Sequence, residues 1–255
     1  MGSTTRIDWA DATWNPVTGC LHGCEYCYAR GIANRFGRKD DQEKMNHDLQ
    51  NPLRRVYRDD IGVQHLGRKL AYPYGFDPTF HRYKLEEPQH WKKPRTIFVC
   101  SMADLFGEWV PDEWIKAVFD ACAAAPQHRY LFLTKNPNRY AELAIDWKLP
   151  MNCNMWYGTS TPTPNKPYFN SNVVNAFISV EPMLTTFGGF RLTGIKWAIL
   201  GAETGNRKGK VVPEKEWIMC FANACAGIGI PVFMKESLRP IMGADFKQEF
   251  PWETP

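Results

Sequence analysis

Within eight residues the chain places Cys20, Cys24 and Cys27, in the run Gly19-Cys20-Leu21-His22-Gly23-Cys24-Glu25-Tyr26-Cys27. Thiolates are the usual ligands of iron–sulfur clusters. Three of them leave one iron of a 4Fe-4S cube without a protein ligand, and an open iron can coordinate a substrate. A loop this tight needs backbone freedom, which Gly19 and Gly23 supply. Two other chemistries stay open to the same residues. A structural zinc site needs a fourth ligand, and His22 is the nearest candidate, although it lies inside the loop between two of the cysteines. A redox pair of Cys24 and Cys27 leaves Cys20 without a role.

The other cysteines are scattered. Cys100, Cys122, Cys220 and Cys225 sit in apolar stretches, where a cysteine usually serves as a small core hydrophobe. Disulfides are not expected, because the N-terminus has no apolar secretory run and the cytosol keeps thiols reduced. No apolar run approaches the roughly 18 residues of a membrane span. The expectation is a soluble, cytoplasmic protein without a membrane partner.

From Thr96 onward the elements that must position the loop follow one rhythm. Short apolar runs at 96–100, 130–133, 155–157, 176–179, 197–200 and 231–234 are each too short for a helix and lack alternation, as buried parallel strands do. An earlier strand is expected at 11–15, just before the cysteines. Helices fit at 111–125, 137–145 and 213–226, two of them opening on Pro with acids close behind, which suits the first turn. A chain of 255 residues with 44% hydrophobic content can build one large α/β domain, either a barrel or a doubly wound sheet. In a parallel barrel the site lies at the C-terminal ends of the strands. The polar residues there are Ser101 with Asp104, Thr134 with Lys135, Thr159 with Ser160, Ser179 with Glu181, Glu203 with Thr204, and Lys235 with Glu236.

Residues 38–93 break the rhythm. They are expected to form an insertion after the first helix, itself partly helical at 42–59. The net charge of the chain is +4, but the stretch from Arg30 to Arg95 holds fifteen Lys and Arg against nine Asp and Glu. Bases alternate with aromatics there: Arg54, Arg55, Tyr57 and Arg58, then Arg82, Tyr83 and Lys84. Cations suit phosphates and aromatic faces stack on bases, so DNA, RNA or a nucleotide is an expected partner. A solvated cap over the barrel is the structural alternative.

The C-x3-C-x2-C spacing, with an aromatic before the last cysteine, resembles the signature of the radical SAM superfamily. More widely, WADATWNPVTGC (9–20), FVCSMADLF (98–106), PDEW (111–114), LFLTK (131–135), ISVEP (178–182) and GAETG (201–205) resemble a phage-associated family of radical-SAM-like proteins also found in bacteria. Many members of that family space their first two cysteines further apart; the tighter spacing here is the superfamily norm.

The resemblance implies an α/β fold, a partial (β/α)6-type parallel barrel, in one domain over residues 1–255 that includes the basic insertion. It implies a 4Fe-4S cluster on Cys20, Cys24 and Cys27, with S-adenosyl-L-methionine on the fourth iron and an external electron donor. Reductive cleavage would release a 5′-deoxyadenosyl radical that abstracts hydrogen from the substrate. Tyr26 matches the aromatic position near the adenine. The superfamily's second strand usually ends in a Gly-Gly-Glu-like motif for the methionyl amino group; here Ser101-Met102-Ala103-Asp104 stands instead, with Asp104 as the acid. Ser160 and Glu181 are candidates for the methionyl carboxylate and the ribose hydroxyls. Lys135, Glu203 and Lys235 are candidates for catalysis, the lysines holding a substrate anion or pairing with neighbouring glutamates. A nucleobase in nucleic acid or a nucleotide is the expected substrate, for hypermodification or repair. A radical SAM enzyme on a small metabolite or peptide and a non-enzymatic zinc-binding nucleic-acid module are the alternatives.

Overall fold

The computed structural model of the protein describes residues 5, 7–37, 46–205 and 207–253. Strand β1 (Ala12–Trp14) leads through a two-residue strand β2 (Val17–Thr18) into the cysteine loop, and helix α1 (Tyr28–Phe36) follows. The insertion then forms β3 (His47–Leu49), the pair β4 (Arg54–Arg58) and β5 (Gln64–Lys69), and β6 (Thr79–His81). The rest alternates: β7 (Thr96–Val99), α2 (Asp112–Ala123), β8 (Arg129–Thr134), α3 (Asn138–Ile145), β9 (Met155–Ser160), β10 (Asn175–Val180), β11 (Trp197–Leu200), α4 (Lys215–Ala226), β12 (Val232–Met234) and a short α5 (Arg239–Met242).

Seven strands form one sheet in the order β1-β7-β8-β9-β10-β11-β12, with each adjacent pair parallel. The sheet curls into a half-barrel. The partial parallel barrel expected from the sequence is therefore the architecture observed, its seven strands being the six apolar runs and the earlier strand expected at 11–15. Each expected strand is present within one to three residues of its expected bounds. The expected helices on 111–125, 137–145 and 213–226 are α2, α3 and α4. The links β9–β10 and β10–β11 carry no helix.

Alternation sorts the strand side chains to the two sides of the sheet, the outer side holding two clusters and the inner side one. Outward residues such as Val99, Tyr130, Phe132 and Tyr157 pack with Trp114, Val118 and Phe119 of α2. Burying each such aromatic stabilises the fold by roughly 1.5–3 kcal/mol. Inward residues Phe98, Leu131, Trp156, Phe177, Trp197 and Phe233 form a separate cluster with Trp9, against which Phe250 and Trp252 pack. Gly158 is what admits the Phe177 ring: a Cβ there would lie 2.2 Å from it.

The interior floor is thus filled by aromatics brought in from both ends of the chain. The last described segment also covers the free edge of β12, where Met234 N donates to Lys247 O at 2.9 Å and Glu249 N to Val232 O at 3.1 Å. An open strand edge invites pairing with another chain, and the segment removes that edge.

The insertion corrects one expectation. Residues 42–45 lie outside the described residues, but 46–59 is not helical: it holds β3 and β4. β3 pairs with β6 and β6 with β2. β4 and β5 form an antiparallel hairpin that, among the described residues, pairs with no other strand. Every residue of β4 is exposed. With no buried side to create a helical stripe, charge and backbone pairing decide the local structure.

Candidate active site

The strand ends hold a cavity of about 540 Å³. Cys20, Cys24, Cys27 and Tyr26 line it on one side. Of the strand-end polar residues named from the sequence, all except Thr159 line it as well. Thr159 faces away, its hydroxyl accepting from Phe169 N at 3.0 Å.

The cysteine loop is fastened at both ends. Gly19 N donates to Met102 O at 2.9 Å and Cys20 N to Phe76 O at 3.1 Å. Gly19 has φ +89°, and a Cβ there would lie 2.1 Å from Asp77 O; only glycine fits this close approach. Cys27 caps α1, its Sγ accepting from Arg30 N at 3.4 Å. All three cysteines are free thiols. Burial, with smaller contributions from Asp104, Cys27 and Cys24, pushes the Cys20 thiol up to about 12. A metal centre would displace that proton on binding. Among the described residues, no three Cys, His, Asp or Glu side chains are already gathered at metal-holding distances. The donor set fits an iron–sulfur cluster in its chemistry: three free thiols on one short loop line one cavity.

Asp104 organises the wall opposite. Its Oδ2 contacts His22 Nε2 at 2.7 Å and accepts from Lys135 N at 2.9 Å; its Oδ1 accepts from Thr134 Oγ1 at 2.7 Å and Phe106 N at 3.1 Å. Burial alone would raise its pKa, but the bonds from His22, Lys135 and Thr134 hold it below the usual carboxylate value. A carboxylate has about four acceptor sites, and here all are taken. The expected ammonium contact at Asp104 would require one of these bonds to be given up. His22 thus ties the cysteine loop to the ends of β7 and β8. Ser101 is held by Asn15 Oδ1, which accepts from its hydroxyl at 3.2 Å and from Met102 N at 3.0 Å. The preceding Cys100 has φ 57°, a strained value for a residue with a side chain.

The lysine candidates differ. Lys135 donates to Ser160 Oγ at 3.0 Å and lies 5.7 Å over the Tyr26 ring; no carboxylate is among these partners. Lys235 is ion-paired with Glu181. Gly201 makes room for that pair, since a Cβ there would lie 3.0 Å from Lys235 Cδ and 3.1 Å from Glu181 Cγ. Glu203 is gripped by Arg207 at 2.6 and 2.7 Å, which holds its carboxyl below the usual range. Arg207 also lies 3.6 Å from Glu25, so the loop after β11 reaches back to the cysteine loop. Asn15, Arg207 and Trp9 carry no sequence mark of a place at the site, and His22, the nearest candidate for a zinc ligand in the loop, contacts Asp104. Apart from Glu203, four residues before Arg207, their partners are distant in sequence, and no spacing rule connects them.

Fold and cavity define a parallel α/β half-barrel with a three-cysteine loop opening onto its strand ends. The chain belongs to the family described as "Protein of unknown function (DUF5131)", whose profile matches residues 4–239. No curated protein matches it. Among solved structures it is similar to a cysteine-to-alanine mutant of spore photoproduct lyase with dinucleoside spore photoproduct, at TM-score 0.53 and 11% identity, over 92% of this chain and 79% of that one. A cysteine-to-serine mutant of the same lyase matches at TM-score 0.51 and 11% identity, over the same shares. At that identity the likeness speaks for the fold. Among the described residues no helix is long and apolar enough to cross a membrane.

Proposed function

We propose that the chain is a radical SAM enzyme acting on a nucleobase, in DNA, RNA or a nucleotide, for hypermodification or repair. One observation carries the reading: the three cysteines of a single loop and the polar strand ends of a parallel half-barrel line the same cavity. Cys20, Cys24 and Cys27 would hold a 4Fe-4S cluster with S-adenosylmethionine on its open iron. Bound there, the pair supplies reductive cleavage of the sulfonium, with the electron from an external donor.

The chain's own residues position that cofactor. Lys135 and Ser160 offer a cation and a hydroxyl, 3.0 Å apart, to the methionyl carboxylate. Tyr26 gives its ring to the adenine. Glu181, held by Lys235, accepts from the ribose hydroxyls. Asp104, acting through His22, is a positioning residue for the cysteine loop. Lys235 and Glu203 each have an ion-pair partner in place and line the cavity where a substrate would sit.

The nucleic-acid part rests on the hairpin. Arg54, Arg55 and Arg58 stand on a strand exposed along its whole length, and Val56 and Leu66, register partners on one face, are 58% and 73% exposed. Cations beside an unpartnered apolar face suit phosphates beside bases. The hairpin's return strand leads within a few residues to Phe76, which lines the cavity. The dinucleoside bound by the similar lyase supports a substrate of the same kind.

The test uses anaerobically reconstituted protein with dithionite and S-adenosylmethionine. The wild type should bind iron and sulfide and form 5′-deoxyadenosine; Cys24→Ala should lose the product. A colourless protein carrying zinc, or equal product from the variant, would sink the assignment.

A further inference from the structure

Ser179 stands on β10 beside Ser160 of β9, its register partner. It is 0% exposed and lines the cavity, yet its Oγ has no hydrogen-bond partner among the described residues. Such orphans are rare in native proteins and each needs a reason. Ser160 does not supply a partner, being engaged with Lys135 and with the Glu181 carbonyl. A second group is in the same position. Trp9 also lines the cavity, and its Nε1 is buried without an acceptor among the described residues. An indole N–H can only donate, so the missing partner must present acceptors.

The surroundings narrow its kind. Trp9, Phe98 and Leu133 give this part of the cavity an apolar, largely aromatic surface. The charged groups stand just past the ends of the same strands: Lys135 two residues beyond Leu133, and Glu181 two beyond Ser179. A fitting ligand is therefore flat, uncharged at this end, and edged with acceptors, as a pyrimidine dione is by its two carbonyl oxygens. We propose that Trp9, Phe98, Leu133 and Ser179 form the subsite of the reacting base, and that the base is a pyrimidine dione whose oxygens accept from the Ser179 hydroxyl and the Trp9 indole. This rests on the nucleobase reading above and narrows it to one class of base.

Calorimetric titration of reconstituted holoenzyme with S-adenosylmethionine tests it. The ligands are thymidine and its difluorotoluene isostere, which keeps the shape and lacks the carbonyl oxygens. The wild type should prefer thymidine. Ser179→Ala and Trp9→Phe should each weaken thymidine by about fivefold to tenfold, the loss of one neutral hydrogen bond, and leave the isostere unchanged. Circular dichroism and iron content verify folding and loading. Absence of thymidine binding, equal binding of the two ligands by the wild type, or thymidine affinity unchanged in both variants would overturn the subsite. If Ser179→Ala fails to fold, Trp9→Phe and the wild-type comparison of ligands still decide. Failure of the wider reading looks different: no iron and no 5′-deoxyadenosine, whatever thymidine does.

Discussion

At the scale of single residues, the site is built from groups that gain their meaning from partners far along the chain. Asp104 was visible in the sequence as a strand-end acid; its four donors were not, because they converge from the cysteine loop, β8 and its own turn. His81 is a second case. Its ring contacts Thr18 Oγ1 at 2.8 Å and the Tyr83 hydroxyl at 3.2 Å. Burial, helped by the positive charge of Lys84, pushes it from 6.5 down to about 3. The folded value lies below the unfolded one, so protonation favours the unfolded chain. The associated stability is complete above pH 6.5 and is lost as pH falls from there toward 3. Over that window each unit should cost about 1.4 kcal/mol. Urea midpoints of the wild type should drop between about pH 6.5 and pH 4.5, and those of His81→Gln should drop less. Parallel slopes for the two proteins would show that His81 is not the titrating group.

At the scale of elements, the barrel strands were legible because a buried parallel strand announces itself as a short uninterrupted apolar run, as Trp197–Leu200 does. The hairpin was not. Most of its residues are exposed and none is buried, so no core-facing pattern marks its period, and Arg54–Arg58 reads as three arginines around Val56 and Tyr57. The same exposure makes it a clean target. Arg58→Ala with Arg68→Ala should leave the melting temperature within a degree or two, since exposed substitutions seldom change stability by more than about 0.5 kcal/mol. Single-stranded DNA binding should weaken, and the slope of log K against log salt should shrink by roughly 1–1.5. An unchanged slope would remove these arginines from the phosphate-contacting surface.

At the scale of the whole molecule, closing the barrel is a non-local event with no local pattern. Nothing in Lys247–Trp252 reads as a strand cap or a floor. Yet Trp197 Nε1 donates to Glu249 O at 2.9 Å, Val232 N to Glu249 Oε2 at 2.8 Å, and Trp252 packs on Trp156 and Trp197. Ending the chain at Gln248 should therefore cost about 3–5 kcal/mol, the range for removing a large core aromatic. It should also red-shift tryptophan emission as Trp197 meets water. A truncated protein with wild-type stability would mean that the floor closes without this segment.

Among the described residues the two outermost strands, β1 and β12, share no backbone ladder. The Asp8 carboxylate accepts from Glu236 N at 2.7 Å, and the Trp9 indole lies between Phe98 and Trp197 at 4.6 and 6.3 Å. Every other junction around the circumference is stitched by main-chain bonds; this one is buttoned by side chains. Its width can therefore be retuned by exchanging two residues, without unpicking the weave, and a relative of this chain could take in a bulkier guest at that seam alone.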